Sequence, residues 1–344
     1  MSESCLTGGK SVSLRVGLLG GGSWGTTVGA LVARNTSVTL WARDSATVEE
    51  INSQHTNKRY LPDAKLPENL LATTDIEQAV AGTDLIVMGI PSQGFRVVLE
   101  QIKELIRPWV PVVSLSKGLE LDTHMRMTEI IEDVLPGHPA GVLTGPNLAR
   151  EIMAGHAAAS VIAMADETIV KELQKVFHSG LFRVYTNHDV IGCELGGVLK
   201  NIIAIAAGMG DGQGAGENTR SGVITRGLAE ITRLGVAMGG EPQTFAGLTG
   251  MGDLVATCTS AQSRNRTVGF ELGKGRSIKE IIDGMFMVAE GVKSAPTVMA
   301  LADQYDVEMP ISAEVYEVVQ GKCDAKRAFR GLLKSSAGAE SDPG

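Results

Sequence analysis

The chain has 344 residues, 43% of them hydrophobic and 20% charged, which is enough for two folded domains of ordinary globular composition. A net charge of −8 and an aromatic content of only 4% exclude general attraction to nucleic acid or to an anionic membrane, and leave few base-stacking platforms. Any anionic ligand must therefore be held by a local basic pocket. Cys5, Cys193, Cys258 and Cys323 lie far apart with no CxxC spacing, so neither a zinc site nor a disulfide framework is indicated, and no metal is expected. The opening MSESCLTGGKSVS is polar, without an apolar signal region, and the reading is of a cytoplasmic protein with reduced thiols and no membrane insertion.

In chain order, residues 1–13 read as a disordered tail. The near-continuous apolar run Arg15 to Gly20 predicts a strand buried on both faces, Ser23 to Arg34 a helix, and Ser37 to Trp41 a second strand. Further buried strands are expected at Leu85 to Ile90, Val110 to Leu115 and Ser160 to Ala163. Helical spacing falls between them, at Ser92 to Ile106, Met125 to Val134 and Ile169 to His178. Alternating strands and helices imply an α/β, Rossmann-like doubly wound sheet over residues 14–187. From 188 to 334 strand-like runs vanish and Ala/Gly/Leu/Ile stretches predict an all-α second domain. Residues 335–344 form another loose tail.

Gly20-Gly21-Gly22-Ser23-Trp24-Gly25 fits G-x-G-x-x-G, a weak pattern that gains value by following the first strand and opening the first helix. Gly20 permits the tight turn, Gly22 lets backbone amides approach a pyrophosphate, and Gly25 allows close helix packing. The acid usual at the end of the second strand is displaced to Asp44, and Arg43 precedes it. A guanidinium there can pair with a 2′-phosphate, which favours NADP, or dual use, over NAD alone; the competing reading is a solvated loop charge.

Lys117 follows a buried strand, where ligands bind in such sheets, although a plain loop lysine would look the same. Gly145-Pro146-Asn147 enters a short helix and carries a polar side chain, as a simple cap also would. Lys200-Asn201 lies inside the apolar stretch Leu195 to Met209. A lysine there either snorkels to water or is desolvated, which lowers its pKa toward that of a general acid/base. Ser263-Arg264-Asn265 offers a planar fork and two neutral donors suited to phosphate, and the glycine-flanked Asp253 suits a hydroxyl. A solvated helix start is the alternative. Together these groups suggest a dehydrogenase acting on a small phosphorylated alcohol or ketone. A hydroxy-acid reductase and a dinucleotide-binding regulator without turnover are the competing classes.

Six segments, GGGSWGT, SLSKGLE, GPNLARE, ELGGVLKNIIAIAAGMGDG, GLTGMGDLVATCTSAQSRNR and VAEGVK, occur in an order that resembles NAD(P)-dependent glycerol-3-phosphate dehydrogenase of the bacterial type, from about Arg15 to Leu333. The resemblance implies a Rossmann domain joined to a 6-phosphogluconate-dehydrogenase-like helical domain. It implies oxidation and reduction at a CH–OH group, interconverting dihydroxyacetone phosphate and sn-glycerol 3-phosphate for glycerophospholipid synthesis. By the same resemblance Lys200 is the proton donor or acceptor. Ser23, Trp24, Arg43, Ala149, Val288 and Glu290 contact the dinucleotide, and Lys117 touches cofactor and substrate. Gly145, Asn147, Asp253, Ser263, Arg264 and Asn265 bind substrate, with Arg264 reaching the cofactor. Asn147 departs from the Ser or Thr more usual there. The Ala/Gly-rich helical domain is suited to a two-fold interface, and a homodimer is expected.

Overall fold

The computed structural model describes residues 14–285 and 289–332; both expected tails, at 1–13 and 335–344, lie outside them. Eight strands form one sheet: β1 (Arg15–Leu19), β2 (Ser37–Trp41), β3 (Leu70–Thr73), β4 (Leu85–Met88), β5 (Val112–Ser114), β6 (Ala140–Thr144), β7 (Ala158–Met164) and β8 (Phe182–Asn187). Their order is β3-β2-β1-β4-β5-β6-β7-β8, parallel throughout except where β7 runs antiparallel to β6. Successive residues of β1 feed opposite faces: Leu18 joins the core under the helices Ser23–Val32 and Glu167–Phe177, and Leu19 the core under Ser92–Ile102 and Met127–Val134. Helices on both faces make the sheet doubly wound, as the sequence predicts. The chain order reverses between β1 and β4, which opens a crevice at the carboxyl ends of these strands.

Three strands escape the sequence reading. In β8, Phe182 and Val184 are buried while Arg183 and Tyr185 are exposed, the period-2 pattern of an edge strand with one wet face, not a continuous apolar run. β3 is the other edge, with Leu71 57% exposed, and β6 begins with Ala and Gly, which give no β-branched or large apolar signal.

After β8 only helices follow among the described residues. The core helix, Val190–Gly212, is apolar on every side and forms the axis of this half. It is long and apolar enough to cross a bilayer, but 89% of its most apolar window is buried inside the fold. The helix Arg264–Gly273 packs against it backbone to backbone. A Cβ on Gly208 would come 2.1 Å from the Arg266 carbonyl oxygen, and one on Gly269 would come 2.0 Å from that of Ile205. Glycine is required by this approach, which sets where the N-terminus of Arg264–Gly273 meets the cleft.

Candidate active site

The glycine turn behaves as the pattern demands. Gly20 has φ +122°, and a Cβ there would strike the Gly89 carbonyl oxygen on β4's loop at 2.3 Å; one on Gly25 would strike Gly20's own carbonyl at 2.0 Å. Gly22 faces open space, with nothing within 4 Å of the position its Cβ would take, directly before the helix that Ser23 opens. Asn57 props the turn from below, donating to the Gly21 carbonyl at 3.0 Å and to Thr26 Oγ1 at 2.9 Å. Trp24 packs edge-on against Phe182, and its buried Nε1 has no hydrogen-bond partner among the described residues. An open glycine at a helix N-terminus fits a dinucleotide pyrophosphate. At the end of β2, Asp44 is engaged as a helix cap, accepting from Ala46 N at 3.3 Å and Thr47 Oγ1 at 2.8 Å. Those bonds, Thr47's foremost, hold its carboxyl below the usual range. Arg43 beside it is exposed, with no hydrogen bond or ion pair among the described residues.

Across the crevice, Lys200 is buried, its side chain only 7% exposed. Its Nζ donates to Asp253 Oδ1 at 2.5 Å and Thr257 Oγ1 at 2.6 Å. Lys117, on the loop after β5, donates to the other carboxylate oxygen of Asp253 at 2.6 Å and to the Gly145 carbonyl at 2.8 Å. One carboxylate thus bridges two ammonium groups brought from different halves of the chain. Burial pushes the Lys200 ammonium down to about 8; Lys117 pushes the same way and Asp253 pulls back. Desolvation likewise pushes the neighbouring Cys258 thiol up to about 12, so it offers no thiolate near neutral pH.

Asp253 is aimed by a single π-helical turn, Leu248–Gly252, that leads into the helix Asp253–Thr259. Thr257, four residues on, shares its face and was missed by the sequence reading; the i, i+4 spacing from Asp253 was the available signal. Thr144, at the end of β6, was missed too. Its hydroxyl is buried, with no hydrogen-bond partner among the described residues, and lies 3.0 Å from where a Cβ on Gly197 would be, beside the Lys117 stem. Gly145 has φ +136° and is held to Lys117 through its carbonyl. Asn147 donates to Ser160 Oγ at 3.1 Å, and its buried Oδ1 has no partner among the described residues.

Ser263 caps the helix Arg264–Gly273 through Arg266 N at 3.2 Å. Asn265 turns inward, donating to Asn201 Oδ1 and accepting from Gly291 N, both at 2.9 Å. Arg264 is exposed, with no hydrogen bond or ion pair among the described residues. Arg266 instead pairs with Asp211. Glu290 reaches back over the cleft to Ser92 Oγ at 3.4 Å, and burial pushes its carboxyl above the usual range despite Lys293 and Arg264. Ala149 opens a short helix, Ala149–Met153, beside Asn147. Val288 lies outside the described residues.

Sequence models described as the N-terminus and C-terminus of NAD-dependent glycerol-3-phosphate dehydrogenase match residues 15–170 and 189–330. The chain belongs to that family. Glycerol-3-phosphate dehydrogenase (NAD(P)+) from Sphingopyxis alaskensis is 70% identical over 331 residues, spanning 96% of this chain and 99% of that protein. A Mycobacterium tuberculosis relative of the same description is 53% identical over 327 residues, spanning 95% and 96%. Among solved structures, the glycerol-3-phosphate dehydrogenase of Coxiella burnetii superposes with a TM-score of 0.89 at 37% identity, covering 94% of this chain and 99% of that one. The chain is therefore an NAD(P)-dependent oxidoreductase with the 6-phosphogluconate-dehydrogenase-like arrangement of domains expected from its motifs.

Proposed function

We propose that this glycerol-3-phosphate dehydrogenase interconverts dihydroxyacetone phosphate and sn-glycerol 3-phosphate with Lys200 as the proton donor and acceptor. The observation that carries the reading is the buried Lys200 ammonium, hydrogen-bonded to Asp253 and tuned to about 8. A group titrating there holds or gives up a proton near neutral pH. The nicotinamide, when bound, supplies or accepts the hydride. In reduction, hydride adds to the ketone carbon, the carbonyl π pair moves to oxygen, and Lys200 gives its proton to that oxygen, leaving a neutral amine that solvent recharges. Oxidation runs these steps in reverse, the amine taking the hydroxyl proton.

Asp253 and Thr257 aim the Lys200 Nζ. With Lys117 added, the cluster of two ammonium groups and one carboxylate carries a net positive charge, which suits an anionic substrate. Ser263, Arg264 and Asn265 at the start of their helix are assigned to the phosphate, and Gly145 and Asn147 to the other end of the substrate. On the dinucleotide side the reading assigns the pyrophosphate to Gly20, Gly22, Ser23, Trp24 and Gly25. Arg43 is assigned to a 2′-phosphate, hence NADP over NAD, and Ala149, Val288 and Glu290 to the dinucleotide. We further infer a cytoplasmic homodimer that supplies glycerophospholipid synthesis.

The test is loss of NAD(P)H absorbance with dihydroxyacetone phosphate and with dihydroxyacetone. Turnover of the phosphorylated ketone alone is expected. Lys200→Ala is expected to lower kcat by roughly 10²–10⁴ while NADPH still binds; near-normal turnover in that variant refutes the role.

A further inference from the structure

Lys117 and Lys200 come from separate halves of the molecule, so their sharing of one carboxylate requires something to set the distance between the halves. The segment that carries Lys117 doubles back on itself: Leu119 pairs with Arg126 as an antiparallel bridge, and Glu120 N donates to the Met125 carbonyl at 3.0 Å. The hairpin is gripped on both sides. On the Rossmann side, Arg96 forks onto Glu120, with both bonds at 2.9 Å. On the helical side, Arg126 Nη1 donates to Glu194 Oε2 at 2.7 Å; Thr128 adds its backbone N–H to Oε1 at 3.0 Å and its hydroxyl to Oε2 at 2.5 Å. Leu119, 1% exposed, is buried in the core of the helical domain.

Glu194 lies six residues before Lys200 on the same helix, a separation of about 9 Å along its axis. Its side chain is 3% exposed and that of Arg126 11%. A buried pair of this kind is weak evidence for stability, because desolvation offsets much of the attraction, whereas its directional bonds fix one geometry. Neither residue is among those assigned to substrate, cofactor or proton transfer, although Glu194 opens the segment that carries Lys200.

We propose that Glu194 and Arg126 are positioning residues: their clasp locks the 117–126 hairpin onto the Lys200 helix and so holds the Lys117 and Lys200 ammonium groups on opposite oxygens of Asp253. The inference rests on the reading of Lys200 as the proton-transferring group.

The test measures kcat, its pH profile and Tm for Glu194→Gln, Arg126→Lys and Glu194→Gln/Arg126→Met, with Lys200→Ala and Glu230→Gln alongside. Glu230 is a buried carboxylate that accepts from the backbone of Ile311 and Ser312 and from the Ser312 hydroxyl, with no hydrogen bond to a cleft residue among the described residues. Glu194→Gln is expected to lower kcat about tenfold, since small misplacements of reacting groups cost that much or more. The titratable groups that act on Lys200 are Asp253, Lys117 and Cys258, the last a neutral thiol near neutral pH. Release of Lys117 removes repulsion, so the alkaline limb of reduction moves to higher pH. Arg126→Lys, which keeps one charged bond, recovers part of the rate. The double variant leaves neither buried charge uncompensated; it is expected to regain Tm but not kcat, and it serves if Glu194→Gln does not fold. A Glu194→Gln enzyme that loses Tm as Glu230→Gln does, yet keeps wild-type kcat and pH limb, overturns the proposal. Retained turnover in Lys200→Ala instead overturns the reading beneath it.

Discussion

Gly269→Ala tests whether the contact between the core helix and Arg264–Gly273 positions the substrate end of the site. The added Cβ would lie 2.0 Å from the Ile205 carbonyl oxygen and 2.9 Å from Met209 N, both backbone atoms that cannot rotate away. Real Cβ contacts essentially never fall below 3.0 Å, so the helices must part by at least the 1.0 Å that separates these values. Asn265 lies four residues back, about one turn, and its 2.9 Å bond to Asn201 cannot survive a retreat of that size. Overpacking of this kind costs roughly 1–3 kcal/mol of stability. Misplacement of a substrate-binding group by about 1 Å costs on the order of 10²-fold in rate. Steady-state kinetics with dihydroxyacetone phosphate should therefore show kcat/KM lower by about that factor, beside a reduced Tm in calorimetry. A lower Tm with kcat/KM unchanged would show that this helix does not set the geometry of the site.

Other substitutions separate binding from folding. Gly22→Ala places a methyl in open space at an ordinary φ of −75°, so Tm should hold while the KM for NAD(P)H rises about tenfold or more; an unchanged KM removes the turn from pyrophosphate binding. Arg43→Ala should raise the KM for NADPH by roughly 10–100-fold and leave that for NADH alone, as loss of a charge-assisted contact does. Equal effects on the two cofactors would refute 2′-phosphate recognition. Because burial lowers Lys200 to about 8, ketone reduction, which needs the ammonium, should decline as pH rises through that value, and alcohol oxidation, which needs the amine, should climb. A limb near the ordinary lysine range would contradict the desolvated site.

The continuous apolar runs of β1 and β4 made the Rossmann half legible, because strands buried on both faces leave no polar register in the sequence. β8 was not legible by that signal, since an edge strand alternates and FRVYTN reads as polar. Lys200 stood out because a charge in an apolar helix is costly, but snorkelling to water and burial were both open until the fold showed it buried. Its partners were not foreseeable. Asp253 and Thr257 lie more than fifty residues downstream, and only the folded helix places them on its Nζ. The Glu194–Arg126 clasp left no trace in spacing, because contacts between distant segments do not repeat along a chain.

The core helix also has a consequence for synthesis. Its 23 residues leave the ribosome before the segments that cover them, with Leu234, Val268, Val298 and Val318 among the residues that later surround it. During that interval the nascent chain displays a stretch apolar enough for a bilayer, and only the part that meets β6, β7 and Leu119 has a native surface already made to receive it. The rest of its surface waits for the downstream helices, so truncation before Leu234 is expected to leave the helix exposed and the nascent chain prone to aggregation, as a solubility assay on such truncations would check.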